Sequence, residues 1–141
     1  MSGHLFFNDQ RWPGFDDGLY AGARILEILS QSDNPSKVLE ELPTAVNTPE
    51  LHIEMAEGEN KLFVKRLQEE LTFDDASDII KIDGLRVEWE DGFALARSSN
   101  TTPVVVLRLE GDTEEALARI QKRFGQALKS IDPNIKLPFE C

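Results

Sequence analysis

The clearest pattern along the chain lies near its C-terminal end, where Ala116, Ile120, Phe124 and Ala127 recur at helical spacing with Leu117, Leu128 and Ile131 beside them. This spacing predicts an amphipathic helix whose apolar stripe faces a core. Asp112 and Glu115 form a capping box at its start, and the tail from Asp132 onward is punctuated by proline. Upstream, residues 104–109 run Val-Val-Val-Leu-Arg-Leu, an apolar run that predicts a central, well-covered strand. Three shorter strands are predicted over residues 79–82, 85–89 and 93–97, separated by Asp83-Gly84 and Asp91-Gly92. Asp-Gly pairs are hairpin signals because glycine takes positive φ without strain. Leu51-His52-Ile53-Glu54-Met55 alternates as a strand does, and Leu62, Phe63, Leu67 and Leu71 suit a helix.

The first third of the chain is patterned differently. A short apolar run, Leu5-Phe6-Phe7, predicts a strand, followed by a turn-rich segment that ends at Asp16-Asp17-Gly18. The aspartates can cap a following helix. In that helix Leu19, Ala23, Leu26 and Ser30 share one face, while Ile25, Ile28 and Leu29 extend the apolar surface nearly all round. A second, short helix over residues 36–42 is announced by Asp33-Asn34-Pro35 and stopped by Pro43. Residues 43–49 hold two prolines and no helical period, and read as an extended linker. One strand and two helices cannot cover a helix that is apolar nearly all round, so the part before the linker reads as the tail of a larger domain. The order beyond it, strand, helix, several antiparallel strands, helix, predicts an α+β domain with an antiparallel sheet and two helices on one face.

With 141 residues the chain fits one ordinary domain, or one small domain and part of another. Its formal charge of −11, with no compensating basic block, argues against nucleic acid as a partner, since backbone binding depends on clustered cations. No apolar run approaches a membrane span and no signal-peptide pattern opens the chain, so a cytoplasmic location is the default. The single cysteine, Cys141, cannot form an internal disulfide. His4 and His52 are far apart and no Cys/His cluster has ligand spacing, so no metal site is expected. Asp74-Asp75 and Glu69-Glu70 read as solvated charges.

Against this acidic background Arg97-Ser98-Ser99-Asn100-Thr101-Thr102-Pro103 places four hydroxyls, an amide and a guanidinium in one turn between apolar strands. Arginine offers a rigid fork of donors to phosphate or carboxylate, and the hydroxyls add short donors. Asparagine tolerates left-handed backbone angles, which lets successive N–H groups converge into an anion nest. The alternative is a polar hairpin loop whose side chains bond their own backbone.

The same loop resembles the phosphate-binding loop of the bacterial phosphomannomutase/phosphoglucomutase enzymes, members of the α-D-phosphohexomutase superfamily. Met1-Ser2-Gly3-His4 is similar to the end of that family's sugar-recognition motif, Gly-Glu-Met-Ser-Gly-His, and Phe15-Asp16-Asp17-Gly18 follows it in the family's order. Asn47-Thr48-Pro49-Glu50, Asp83-Gly84-Leu85-Arg86-Val87 and Thr113-Glu114-Glu115 extend the likeness over essentially the whole chain. Ser-Asn-Thr-Thr-Pro resembles the mannose and glucose mutases, whereas phosphoglucosamine mutases usually show Ser-Gly-Thr-Glu-Pro.

The resemblance implies a C-terminal portion of a mutase. Residues 1–46 would be the end of its third, sugar-recognition domain, a strand-and-helix remnant of an α/β domain, plus linker. Residues 47–141 would be the fourth, phosphate-binding domain, TATA-box-binding-protein-like in fold. The implied reaction interconverts hexose 1-phosphate and 6-phosphate through a phosphoserine and a bisphosphorylated sugar. Arg97, Ser99, Asn100 and Thr101 would hold the phosphate that is not reacting, with Ser98 at a more variable position. Ser2 and Gly3 would contact the sugar, and His4 would be a ligand contact or a candidate for proton transfer. The regions that carry the phosphoserine and the Mg²⁺-binding aspartates in the family are absent. The fragment alone is therefore expected to bind no cofactor and to be inactive, with Mg²⁺ belonging to the full-length enzyme. Its implied partners are hexose phosphates and the missing N-terminal domains. A free-standing phosphosugar-binding module that regulates rather than catalyses is the competing expectation.

Overall fold

A computed structural model describes residues 4–140. The chain divides into two compact units, Met1–Pro43 and Thr44–Cys141.

In the first unit β1 (Phe6–Asp9) and β2 (Trp12–Asp16) form an antiparallel ribbon. The strand β2 lies where the sequence reads as turns, because it contains Pro13 and Gly14. Neither residue harms an edge of a two-stranded ribbon, where a missing N–H leaves no interior ladder broken. Helix α1 (Gly18–Leu29) starts at Asp17, whose carboxylate accepts from the Tyr20 N–H at 2.9 Å. Tyr20 stacks on Trp12 with centroids 4.1 Å apart, and the Arg24 guanidinium lies over Tyr20 and Phe7 while pairing with Asp9. Helix α2 (Pro35–Glu40) is capped by Asn34. The apolar face of α1 has no buried residue; Leu19 is 89% exposed and Leu26 68%.

The second unit is an antiparallel sheet with two helices on one face. Its strands are β3 (Val46–Asn47), β4 (Leu51–Glu54), β5 (Asp78–Ile80), β6 (Leu85–Trp89), β7 (Gly92–Ser98) and β8 (Val104–Gly111). They lie in the order β3-β8-β7-β6-β5, with β4 also paired to β8. The helices are α3 (Glu59–Glu70) and α4 (Glu114–Ile131). Leu85 and Val87 on β6, Ala94 and Ala96 on β7, and Val105, Leu107 and Leu109 on β8 point to the helices and are fully buried. They meet Phe63, Val64 and Leu67 of α3 and Ile120, Phe124 and Leu128 of α4, and Phe73 stacks on Phe124.

Four expectations change here. The linker over residues 43–49 is extended but not free, because Val46 and Asn47 pair with Gly111 and Glu110, and Thr48 exchanges hydrogen bonds with Leu109. Strand β8 is central as expected, yet only alternate residues are buried, so its apolar run covers one face fully and the other in part. The face of α3 carries Asn60 in line with Phe63, Val64 and Leu67, while Leu62 is exposed. Helix α4 is capped by Thr113, whose hydroxyl accepts from the Ala116 N–H, and not by Asp112, whose own N–H is tied to the Asp91 carbonyl in the β6–β7 turn. That turn needs its glycine. Gly92 has φ 152°, and a Cβ there would lie 2.1 Å from the Glu110 carbonyl oxygen. Among the described residues no helix is long and apolar enough to cross a membrane.

Candidate functional site

Strands β7 and β8 end at the loop of residues 99–103. Ala96 points into the core, so its neighbour Arg97 projects from the opposite side of the sheet, across from Val106. Its Nη1 donates to the Asp83 carboxylate at 3.3 Å, with 47% and 74% of the two side chains exposed. Exposed pairs of this kind contribute roughly 0–1 kcal/mol, so an incoming anion can displace Asp83 at small cost. The turn that carries Asp83 lies close to β7 because residue 84 is glycine. A Cβ there would be 2.3 Å from the Ala96 carbonyl oxygen, at φ 100°. Gln68 of α3 holds the same turn by donating to the Lys81 and Gly84 carbonyls at 3.0 and 2.7 Å.

The loop itself is closed by Ser99. Its N–H donates to the Val104 carbonyl at 3.0 Å. Its hydroxyl oxygen accepts from the Thr102 hydroxyl at 2.9 Å and from the Thr101 and Thr102 N–H groups at 3.3 Å. The alternative of a self-bonded polar turn is therefore present in part. The left-handed nest is not: no described residue other than glycine has positive φ, and the residues of this loop include no glycine. The Ser99 hydroxyl gathers the Thr101 and Thr102 amides that a nest would have aimed at the anion. What the loop offers outward is the Arg97 guanidinium, the Asn100 amide groups and the Thr101 hydroxyl. Asn100 and Thr101 are exposed, and Asn100 has no hydrogen-bond partner among the described residues.

Residues 97–101 are thus brought together at one end of the β7–β8 hairpin. His4 belongs to the other unit, where its Nδ1 lies 2.5 Å from a carboxylate oxygen of Asp16. Ser2 and Gly3, expected to contact sugar, lie outside the described residues. His52 is exposed and bonded to Glu50 at 3.1 Å, a surface residue as expected. Asp75 is exposed, as expected, but also paired: it accepts from Arg123 and from the Trp89 indole at 3.0 Å, and the Arg123 guanidinium first of all holds its carboxyl below the usual range. Among the described residues no group of three or more His, Cys, Asp or Glu side chains is arranged to hold a metal ion.

Sequence reasoning missed Asn60 and Asp83. Asn60 is 3% exposed, and its Nδ2 donates to the carbonyls of Ser99, Val104 and Thr102 at 3.0, 3.2 and 3.4 Å. A polar residue in an apolar helical stripe was the available signal, since buried amides require partners. Asp83 was read only as a turn residue.

The family model described as phosphoglucomutase/phosphomannomutase, C-terminal domain, matches residues 45–127. The chain belongs to the phosphoglucomutase/phosphomannomutase family. The model for alpha/beta/alpha domain III of the same family matches residues 1–46. A phosphoglucomutase of Neisseria gonorrhoeae is 56% identical over 139 residues, which cover 98% of this chain and 30% of that protein. A phosphomannomutase/phosphoglucomutase of Pseudomonas aeruginosa is 45% identical over 140 residues, covering 99% and 30%. The crystal structure of a phosphoglucomutase/phosphomannomutase family protein from Burkholderia thailandensis superposes with a TM-score of 0.87 at 56% identity, covering 99% of this chain and 29% of that one. The chain thus spans about 30% of the length of the curated relatives it matches.

Proposed function

We propose that the chain is the C-terminal part of a phosphohexomutase that interconverts hexose 1-phosphate and 6-phosphate, and that residues 97–101 hold the phosphate that is not reacting. The observation that carries this reading is the Arg97 guanidinium, bound among the described residues only to the exposed Asp83 carboxylate, beside a loop whose exposed Asn100 amide and Thr101 hydroxyl can each donate a hydrogen bond. Phosphate accepts two parallel N–H bonds from a guanidinium fork, and each neighbouring hydroxyl or amide adds one more. Phosphoryl transfer depends mainly on positioning and on charge stabilisation, so a domain that grips one phosphate contributes to turnover without covalent chemistry of its own.

On the strength of the sequence motif alone, Ser2, Gly3 and His4 of the first unit are expected to contact the sugar. The Asp16 carboxylate at the His4 Nδ1 favours the tautomer with the proton on that nitrogen, which leaves Nε2 to contact the ligand or to accept a proton.

A chimera tests the reading. This chain replaces the matching 30% of the Pseudomonas aeruginosa relative. The chimera is expected to convert glucose 1-phosphate to glucose 6-phosphate, and Arg97→Ala within it is expected to slow conversion, while the chain alone converts nothing. A folded chimera that turns over equally fast with and without Arg97→Ala contradicts the proposal, as does conversion by the isolated chain.

A further inference from the structure

We propose that Asn60 is a positioning residue for the phosphate loop: from behind, it sets the peptide plane that points the Asn100 N–H at the ligand. The inference rests on the phosphate-binding reading of residues 97–101.

Asn60 occupies the second position of α3, in line with Phe63, Val64 and Leu67. Only 3% of it is exposed. Its two N–H bonds are shared among the carbonyls of Ser99, Val104 and Thr102 at 3.0, 3.2 and 3.4 Å, so one side chain ties two loop oxygens and the first carbonyl of β8 together. No described peptide bond is cis, and in a trans peptide the C=O and the following N–H point in opposite directions. Drawing the Ser99 oxygen toward Asn60 therefore turns the Asn100 N–H away from the core. That N–H has no partner among the described residues, whereas the next two amides are taken by the Ser99 hydroxyl. The Thr102 carbonyl precedes Pro103, which has no N–H to place. The loop is left with one free backbone donor, on the outward side, beside Arg97 and the Thr101 hydroxyl. Without the Asn60 amide the Ser99–Asn100 plane can rotate, and the donor is presented only part of the time.

The test uses the full chain, 15N-labelled, with glucose 1-phosphate as the probe. In wild type the Asn100 amide is expected to exchange rapidly with solvent when free and to slow and shift on addition of the probe. Asn60→Ala and the nearly isosteric Asn60→Asp are expected to raise Kd about tenfold, equivalent to about 1.4 kcal/mol, and to abolish the Asn100 shift. Their circular dichroism stays native. A residue that serves only the fold lowers the melting temperature and leaves the Kd of the folded molecules unchanged, so equal Kd and an undiminished Asn100 shift in the variants overturn this inference alone. A wild-type loop that ignores glucose 1-phosphate overturns the phosphate reading and this inference with it. If neither variant folds, wild-type exchange decides: rapid exchange of the free Asn100 amide supports the inference, and slow exchange overturns it.

Discussion

Removing the Arg97 guanidinium separates binding from stability. Its contact in the free protein is one exposed carboxylate at 3.3 Å, with half of the arginine side chain in solvent. Such a pair contributes roughly 0–1 kcal/mol, so Arg97→Ala is expected to change unfolding free energy by no more than about 1 kcal/mol. Toward a phosphate the same group makes a charge-assisted contact worth roughly 1.5–3 kcal/mol. Its loss is therefore expected to weaken glucose 1-phosphate binding by about one to two powers of ten. Arg97→Lys recovers part of this, because an ammonium keeps the charge and loses the fork. Asp83→Asn acts in the opposite direction. It frees Arg97 from its resident partner and removes a like charge from the ligand, for a gain of at most about fivefold. In the Arg97→Ala background the gain shrinks to the screened repulsion alone, and the non-additivity measures the competition. Isothermal calorimetry at fixed ionic strength gives the affinities of wild type and of the four variants, and urea unfolding gives the stabilities. A Kd for Arg97→Ala within twofold of wild type refutes the reasoning.

Amide exchange is expected to be slowest in β7, β8 and α4 and much faster over residues 4–43, where α1 has no buried residue; equally slow exchange in both units contradicts this. Phe124→Ala removes a fully buried ring stacked on Phe73 and is expected to cost about 3–5 kcal/mol by urea unfolding, with a loss below 1 kcal/mol counting against the packing described. The Arg123 guanidinium, ahead of the Trp89 indole, holds the Asp75 carboxyl below its ordinary 3.8. A carboxylate whose folded pKa is depressed stabilises the protein fully above the unfolded value and loses that contribution as pH falls through the folded one. The stability gap between wild type and Asp75→Asn is thus expected to be constant from neutral pH down toward 3.8 and to close below it. A gap that widens in acid refutes the assignment.

Much of the second unit was legible because its signals are local. Asp83-Gly84 and Asp91-Gly92 mark turns that only glycine can make at φ 100° and 152°. The stripe from Ala116 to Ile131 is buried as its period requires. Where local signals failed, a tertiary contact decided. Pro13 and Gly14 read as a turn and form an edge strand, Val46 and Asn47 read as linker and pair with β8, and Asp112 lost the cap to Thr113 because its N–H serves the β6–β7 turn. The loop of residues 97–103 was visible for its own hydroxyls, amide and guanidinium. Its supports were not. Asn60 reaches Ser99 across 39 residues of sequence, and Asp83 reaches Arg97 only because Gly84 lets the turn approach Ala96.

The central claim is that residues 97–101 bind the phosphate of a hexose phosphate. Amide resonances of the 15N-labelled chain, followed while glucose 1-phosphate and, separately, glucose are added at equal ionic strength, test it most directly. The account predicts saturable shifts confined to Ser98, Ser99, Asn100 and Thr101 and their neighbours with glucose 1-phosphate, and none with glucose. Shifts equal for both sugars, or shifts that leave these four residues untouched, contradict it.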